Sequence, residues 1–523
     1  MTETETLVPE TPYTRPSTSV LPPSEKTPSF TINAANKSYR HQYANIYFVR
    51  LRLLRTFVED QARKRWREVA GNPTYVPRVL EVEKGELCFV IGTVYMDMPL
   101  KPNVIEDIAR DHSIPSPPPR QKFYSEEDNI MLEDESGRIC LVGDRIRSAG
   151  LVTGVIVGAL GIETHNGDFE VVDFCYAGMP PQPSTASAAS EADESMDVDS
   201  PDEWVAFVSG LEVGDLSPSD AQIQMLAEYL TGELGGTEDQ TSASRISRLI
   251  IAGNSLSSIV STTAHEETER KPRRYGYDNT TFTPHPALNL STTLLDLARS
   301  MPIHLLPGAS DPSGTILPQQ SLPRGMFGQT ASYSTFSCET NPTYIHIGNS
   351  NPSQPSVSNK KPQQKASSSS TKSKSSSTTK SLDRTILVNS GQPLNDMFKY
   401  LPTPPHTRLS IAESTLKWRH MAPTAPDTLW CHPFFTSDPF VISETPDIYV
   451  IGNQPEFKTK LVREKSSSNV NAKEKEKEKE EGEKRCRIVL VPSFKETGVV
   501  ALVNFRTLEV KTVCFSVQGM NGG

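Results

Sequence analysis

The sequence predicts an α+β protein with two folded parts: one helix followed by a small closed β-barrel, then a larger layered domain of short strands and helices. Three observations predict it. Residues 85–177 carry short β-prone runs separated by turn signals. Residues 204–516 alternate short apolar runs with helical periodicity, and the last runs follow each other directly. Between them, 181–203 passes from Pro-Gln-Pro through Ala/Ser to an acidic run, a composition that cannot bury itself and marks a linker.

In chain order, residues 1–37 are rich in Thr, Pro, Ser and Glu and are expected to be a disordered tail. Residues 38–180 hold the helix and the barrel. Over 41–69, Tyr47, Leu51, Leu54 and Val58 fall on one helical stripe, widened by Ile46, Leu53 and Phe57. Arg50, Arg52, Arg55, Arg63, Lys64, Arg65 and Arg67 line the other side; they read as a solvated basic face in preference to a nucleic-acid contact. Strands are predicted at Leu87–Tyr95, Ile130–Leu132, Ile139–Val142, Val152–Leu160 and Phe169–Tyr176, the last two joined by Asn166-Gly167-Asp168. Asn103-Val-Ile-Glu106 has the form of a capping box opening a short helix. Several short strands with one inserted helix fit an OB-fold.

The second domain, 204–516, opens on Trp204-Val-Ala-Phe-Val208, an apolar run expected to be buried on both faces. Further strands are predicted at Arg248–Ala252, Ile303–Leu306, Thr343–Ile347, Thr385–Val388, Tyr449–Ile451, Arg487–Val491, Val499–Val503 and Thr512–Val517. Helices are predicted from a Ser217–Asp220 cap through Leu230, and over Leu288–Arg299. A Ser/Lys/Thr-rich stretch near 352–381 and a Lys/Glu run near 464–485 read as disordered insertions.

The bulk numbers bound the function. The chain has 523 residues, 42 prolines and a net charge of -10, against the basic balance usual for a general nucleic-acid binder. Seven cysteines form no Cys-x-x-Cys pair, so no zinc or iron–sulfur site is expected, and their apolar settings fit a reducing compartment. No stretch reads as a signal peptide or bilayer span, so no membrane partner is expected. No Ser/His/Asp order, P-loop or dinucleotide-type glycine pattern stands out. His304 and His346 read as satisfied strand histidines, and His420 and His432 lack a third group at metal-ligand spacing.

After the opening strand comes Ser209-Gly210-Leu211-Glu212-Val213-Gly214. This loop resembles the first metal motif of calcineurin-like phosphoesterases, Ser-Asp-x-His-x-Gly, whose Asp and His bind a dinuclear site. The resemblance implies a two-sheet β-sandwich flanked by helices, with its ligands at strand ends. It also implies that the ligands are missing. Gly210 stands for Asp and Glu212 for His. Gly253-Asn254 stands for Gly-Asp; Gly308-Ala309-Ser310-Asp311 stands for Gly-Asn-His-Asp; Gly452-Asn453-Gln454-Pro455 stands for Gly-His-x-His. Two dications about 4 Å apart require anionic ligands, above all a bridging carboxylate. The expectation is therefore an inactive phosphoesterase-like domain with no cofactor, and Gly210, Glu212, Asn254, Ala309, Ser310, Asp311, Asn453 and Pro455 serving loop geometry. The competing reading is a working metallophosphoesterase with an unusual site, which needs Glu212 and Asp311 to converge with histidines. A third is single-strand binding through the barrel, which the acids around Glu126–Glu135 disfavour.

A barrel followed by such a domain resembles the B-subunit family of eukaryotic DNA polymerases alpha, delta and epsilon, and most of all its delta branch. The most specific stretch is Leu416-Lys-Trp-Arg-His-Met-Ala-Pro-Thr-Ala-Pro-Asp-Thr-Leu429 with Asp438-Pro-Phe440. Phe336-Ser-Cys-Glu-Thr-Asn-Pro342, Ser390-Gly-Gln392, Pro307-Gly-x-x-Asp-Pro312 and Tyr43-x-x-Ile-Tyr47 support it; Trp430-Cys-His-Pro433 departs from the usual Gly-Cys-Tyr-Pro. The resemblance implies a non-catalytic regulatory subunit in the nucleus. It would bridge the cysteine-rich C-terminal module of the polymerase delta catalytic subunit and a third subunit that reaches the sliding clamp, meeting DNA and clamp indirectly. Trp430, Phe434, Phe435 and Phe440, set among prolines, either form an interface or close the domain's own core.

Overall fold

The computed structural model describes residues 13–33, 43–69, 71–102, 120–183, 202–215, 219–258, 285–349, 382–464 and 483–517. The predicted 103–106 capping box, most of the acidic linker, the 352–381 insertion and most of the Lys/Glu insertion lie outside them. So do Ser217 and Pro218 of the predicted helix cap.

The barrel follows from period-2 burial and from one long strand. Helix α1 (Asn45–Arg65) precedes β2 (Thr74–Tyr75), β3 (Leu87–Asp97), β4 (Asn129–Glu133), β5 (Arg138–Val142), a short helix α2 (Asp144–Ser148), β6 (Ile156–Glu163) and β7 (Phe169–Cys175). β3 pairs with β4 through one half and with β6 through the other, and β5 and β6 both pair with β7, so the sheet closes on itself. α1 lays Leu51, Leu54 and Val58 against Ile91 and Ile156 of the barrel wall. Leu53 and Phe57, predicted on the buried stripe, are exposed instead; the inward face is the narrower one that Ile46, Leu54 and Val58 define.

The second domain stacks two mixed six-stranded sheets. One runs β11 (Phe336–Cys338), β10 (Ile303–Leu306), β9 (Ile246–Ala252), β8 (Trp204–Val208), β17 (Val499–Asn504), β18 (Val510–Cys514). Its first four strands are parallel, and all five residues of β8 are buried. The other runs β1 (Thr18–Val20), β12 (Thr343–Asn349), β13 (Asp383–Asn389), β14 (Ile448–Gln454), β16 (Lys484–Pro492), β15 (Lys458–Glu464). Val205, Phe207 and Ile250 of the first sheet meet Ile386, Val450 and Val489 of the second in a dry core. Helices α3 (Asp220–Thr231) and α5 (His285–Ser300) cover the outer face of the first sheet; α4 (Thr237–Ser244) leads into β9. Helices α6 (Gln392–Tyr400) and α7 (Arg408–Trp418) cover the second. The result is a helix/sheet/sheet/helix sandwich beside a barrel.

Two expectations are corrected here. The N-terminal tail is not disordered throughout. Within 13–33, β1 pairs antiparallel with edge strand β12. Arg15 donates to the carbonyls of Leu230, Ala243 and Ile246. Phe30 is buried and stacks on Tyr344, with ring centroids 5.9 Å apart. A Pro/Thr/Ser-rich composition reports only that a segment has no core of its own; this one borrows the core of the sandwich. Second, Arg50 does not belong to a solvated face. It is fully buried. Its Nε donates to Asp438 at 2.8 Å, and its other nitrogens donate to the carbonyls of Gly154, Pro423 and Ala425.

That arginine marks the joint of the molecule. Asp438 also accepts from His420 Nε2 at 2.9 Å, and His420 Nδ1 accepts from the Ala422 N–H. Gly154, at φ +88°, lies so close that a Cβ there would stand 1.9 Å from the Pro423 carbonyl oxygen. One continuous apolar core runs from Val90, Val94 and Met96 of the barrel to Trp418, Met421, Tyr449 and Leu490 of the sandwich.

Candidate functional site

Each strand of the two sheets that faces the central crevice ends in a loop, and the loops interlock through backbone hydrogen bonds. Gly210 N–H donates to Gly253 O at 2.9 Å, and Glu212 N–H to Asn254 O at 3.0 Å. Ser209 Oγ donates to the carbonyls of Val491 and Pro492 and accepts from Asn453 N–H. Glu212, Asn254 and Asn453 all have positive φ, at 47°, 55° and 52°. Asparagine tolerates that region better than most residues, and tight turns at strand ends require it.

The positions singled out in the sequence do converge, but as a closed hydrogen-bonded plug. Gly210, at φ +67°, leaves no side chain; a Cβ there would meet Ser493 Oγ at 2.7 Å and Asn453 Oδ1 at 3.0 Å. Asn453 Nδ2 donates to the carbonyls of Ala252 and Ser390. Its Oδ1 is buried without a partner among the described residues. Asn254 Oδ1 accepts from Ser310 N–H at 3.2 Å, and Ser310 Oγ donates to Leu256 O. Ala309 and Pro455 contribute no donor atom from their side chains. Asp311 is buried and accepts from Leu256 N–H at 2.8 Å and Gly308 N–H at 2.7 Å. Burial pushes its carboxyl up to about 6, against those backbone donors. The carboxylate thus caps the turn after β10, as an Asp does in many tight loops.

Glu212 is the acidic side chain nearest the first motif's ligand position, and it already has a cation. Lys495, from the short helix α8 (Phe494–Thr497) after β16, lies 3.3 Å from Glu212 Oε2 and also pairs with Asp215. A glutamate tied to an ammonium that it shares with Asp215, two asparagines, a glycine and a capping aspartate do not fit a pair of dications. No bridging anion is present at Asn254. Among the described residues no three His, Cys, Asp or Glu side chains stand together as a metal-holding group.

The histidines lie elsewhere. His304 is buried between Arg248 and Glu339, with Nδ1 2.8 Å from the Glu339 carboxylate. His346 faces Thr27 and Thr385. His432 packs edge-on against Phe434. Glu212 and Asp311 therefore do not converge with a histidine, as a working unusual site would need. Sequence reasoning misses Lys495; it lies 283 residues from Glu212, and no local pattern connects them.

The four aromatics of 430–440 separate. Phe440 is fully buried and packs with Phe30 and Phe434; of its two readings it takes the one that closes the core. Phe434 packs against the same core while partly exposed. Trp430 and Phe435 are 62% and 53% exposed. The Leu416–Leu429 stretch forms the barrel–sandwich joint.

Known proteins resemble the chain over nearly its whole length. Residues 42–174 match the family described as the DNA polymerase delta subunit OB-fold domain. Residues 205–459 match the B-subunit family of DNA polymerases alpha and epsilon. The chain is 32% identical over 479 residues to the DNA polymerase delta small subunit of Arabidopsis thaliana, covering 91% of this chain and 92% of that one. It is 30% identical to the small subunit of Saccharomyces cerevisiae (93% and 92% covered) and 31% identical to DNA polymerase delta subunit 2 of Drosophila melanogaster (92% and 94% covered). With identity of that order spread across barrel and sandwich together, the chain belongs to the family of DNA polymerase delta small subunits.

Proposed function

We propose that the chain is a non-catalytic, architectural subunit of a nuclear DNA polymerase delta complex. It bridges the cysteine-rich C-terminal module of the catalytic subunit and a third subunit that leads to the sliding clamp. Its second domain is a phosphoesterase-like sandwich whose metal ligands have been replaced, so it hydrolyses nothing. The observation that carries this reading is the plugged crevice: Gly210, Asn254 and Asn453 tied into hydrogen bonds, and Glu212 paired with Lys495. A surface that no longer does chemistry is free to be kept for shape. The rigid joint around Arg50 supports the bridging role, because two domains fixed to each other hold two partners at a fixed separation.

Co-expression tests it. The full chain, mixed with the C-terminal module of a delta catalytic subunit, is expected to elute as one stoichiometric species on size exclusion. Elution as two separate peaks at micromolar concentration would count against the bridge.

A further inference from the structure

We infer that a basic cleft beside the barrel is a docking site for the phosphate backbone of nucleic acid. The cleft has a volume of about 820 Å³ and lies away from the strand-end loops. Its walls come from the C-terminal end of α1, from α2, from β7 and from the edge of the sandwich at Lys417 and Glu464. Six cationic side chains line it against three carboxylates, a local excess of three positive charges on a chain whose net charge is -10.

Part of that charge has a structural explanation. Arg63 pairs with Glu59, Arg65 with Asp173 and Lys417 with Glu413. Cations in the last turn of a helix also favour its negative end, which covers Lys64 as well. The helix accounts for neither Arg67, beyond its last turn, nor Arg145, which arrives from α2. Lys64, Arg67 and Arg145 have no ion-pair partner among the described residues, and they face one cleft from two elements.

The chemistry of the walls selects the ligand. Two guanidinium forks match phosphate oxygens and release condensed counterions on binding. Phe174 is buried and Tyr176 is half-buried, so the cleft presents no fully exposed ring for the side chains of a peptide to pack on. It also lacks an exposed stack of aromatics, so it would hold the backbone and leave base sequence unread. The smaller cavity against β4 and β5, where OB-folds usually bind strands, is lined by Glu126 and Asp128 and repels phosphate. Nucleic-acid contact therefore moves from the customary barrel face to the cleft between helix and barrel.

The test uses the full chain and a labelled oligothymidylate of about 20 nucleotides, with a duplex of equal length as a second arm. Lys64→Glu, Arg67→Glu and Arg145→Glu together are expected to weaken binding at least tenfold. They should also flatten the plot of log K against log salt by about 2, near 0.7 per lost phosphate contact on a single strand. The neutral set Lys64→Gln, Arg67→Gln, Arg145→Gln is expected to do the same to a smaller degree, with an unchanged melting temperature. A control triple of exposed cations elsewhere, Arg120→Glu, Arg245→Glu and Lys458→Glu, changes net charge equally and is expected to leave binding within twofold. The arm that binds more tightly identifies single-stranded or duplex backbone as the source of the phosphate. No binding by the unaltered chain at about 50 mM salt, equal losses in cleft and control triples, or tighter capture of poly-glutamate than of either nucleic acid would overturn the assignment.

Discussion

At the scale of single residues, Arg50, Asp438 and His420 are the group on which the joint depends. Burial raises Asp438, but His420 and Arg50 together outweigh it and hold the carboxyl well below the usual range. Burial, reinforced by Arg50, lowers His420 to about 4, so its ring is neutral near pH 7 and donates through Nε2. An unfolded histidine binds its proton near 6.5, and the folded one refuses it until about 4. The stability tied to His420 is therefore complete above pH 6.5 and is lost as pH falls from 6.5 to 4, by up to about 3 kcal/mol. His420→Gln keeps a donor toward Asp438 and cannot titrate. Its melting temperature is expected to fall less between pH 7 and pH 5 than that of the unaltered chain; identical slopes would contradict the assignment. Arg50→Met leaves Asp438 buried without its permanent cation, held only by the His420 ring and the Phe440 N–H, and is expected to cost about 3–5 kcal/mol in urea unfolding. None of this is readable locally. Arg50 is one of six cations on its helix, and its partner is 388 residues away.

At the scale of elements, periodicity serves well where burial is one-sided or complete. β8, β9 and β10 are visible as apolar runs, and β12 and β13 pair as their patterns suggest, across a long insertion. Elements whose stability comes from elsewhere escape it. β15 flanks the adjacent Leu461 and Val462 with charged residues at a sheet edge, and β1 has three residues in a proline-rich setting. The prolines around α6 and α7 mask their apolar faces, so neither helix stands out in the sequence. The N-terminal strap makes a direct prediction. Phe30→Ala removes a ring packed on Tyr344 and Phe440 and is expected to destabilise by about 3–5 kcal/mol. Removal of residues 1–33 uncovers the β12 edge and is expected to raise aggregation measured by light scattering.

At the scale of the molecule, the barrel and the sandwich share a core, so the chain should unfold as a unit through the joint. The sequence carries the order of the parts and the strand-end loops, because glycines and asparagines at turns answer to local backbone geometry. It does not carry the plug's hydrogen bonds or the Lys495 ion pair, which depend on where distant strands end. That plug is the centre of the account, and hydrolysis tests it most directly. With an aryl phosphodiester and excess manganese, the purified chain is expected to show no turnover above the buffer rate. Manganese-dependent turnover that disappears in Glu212→Gln would contradict it.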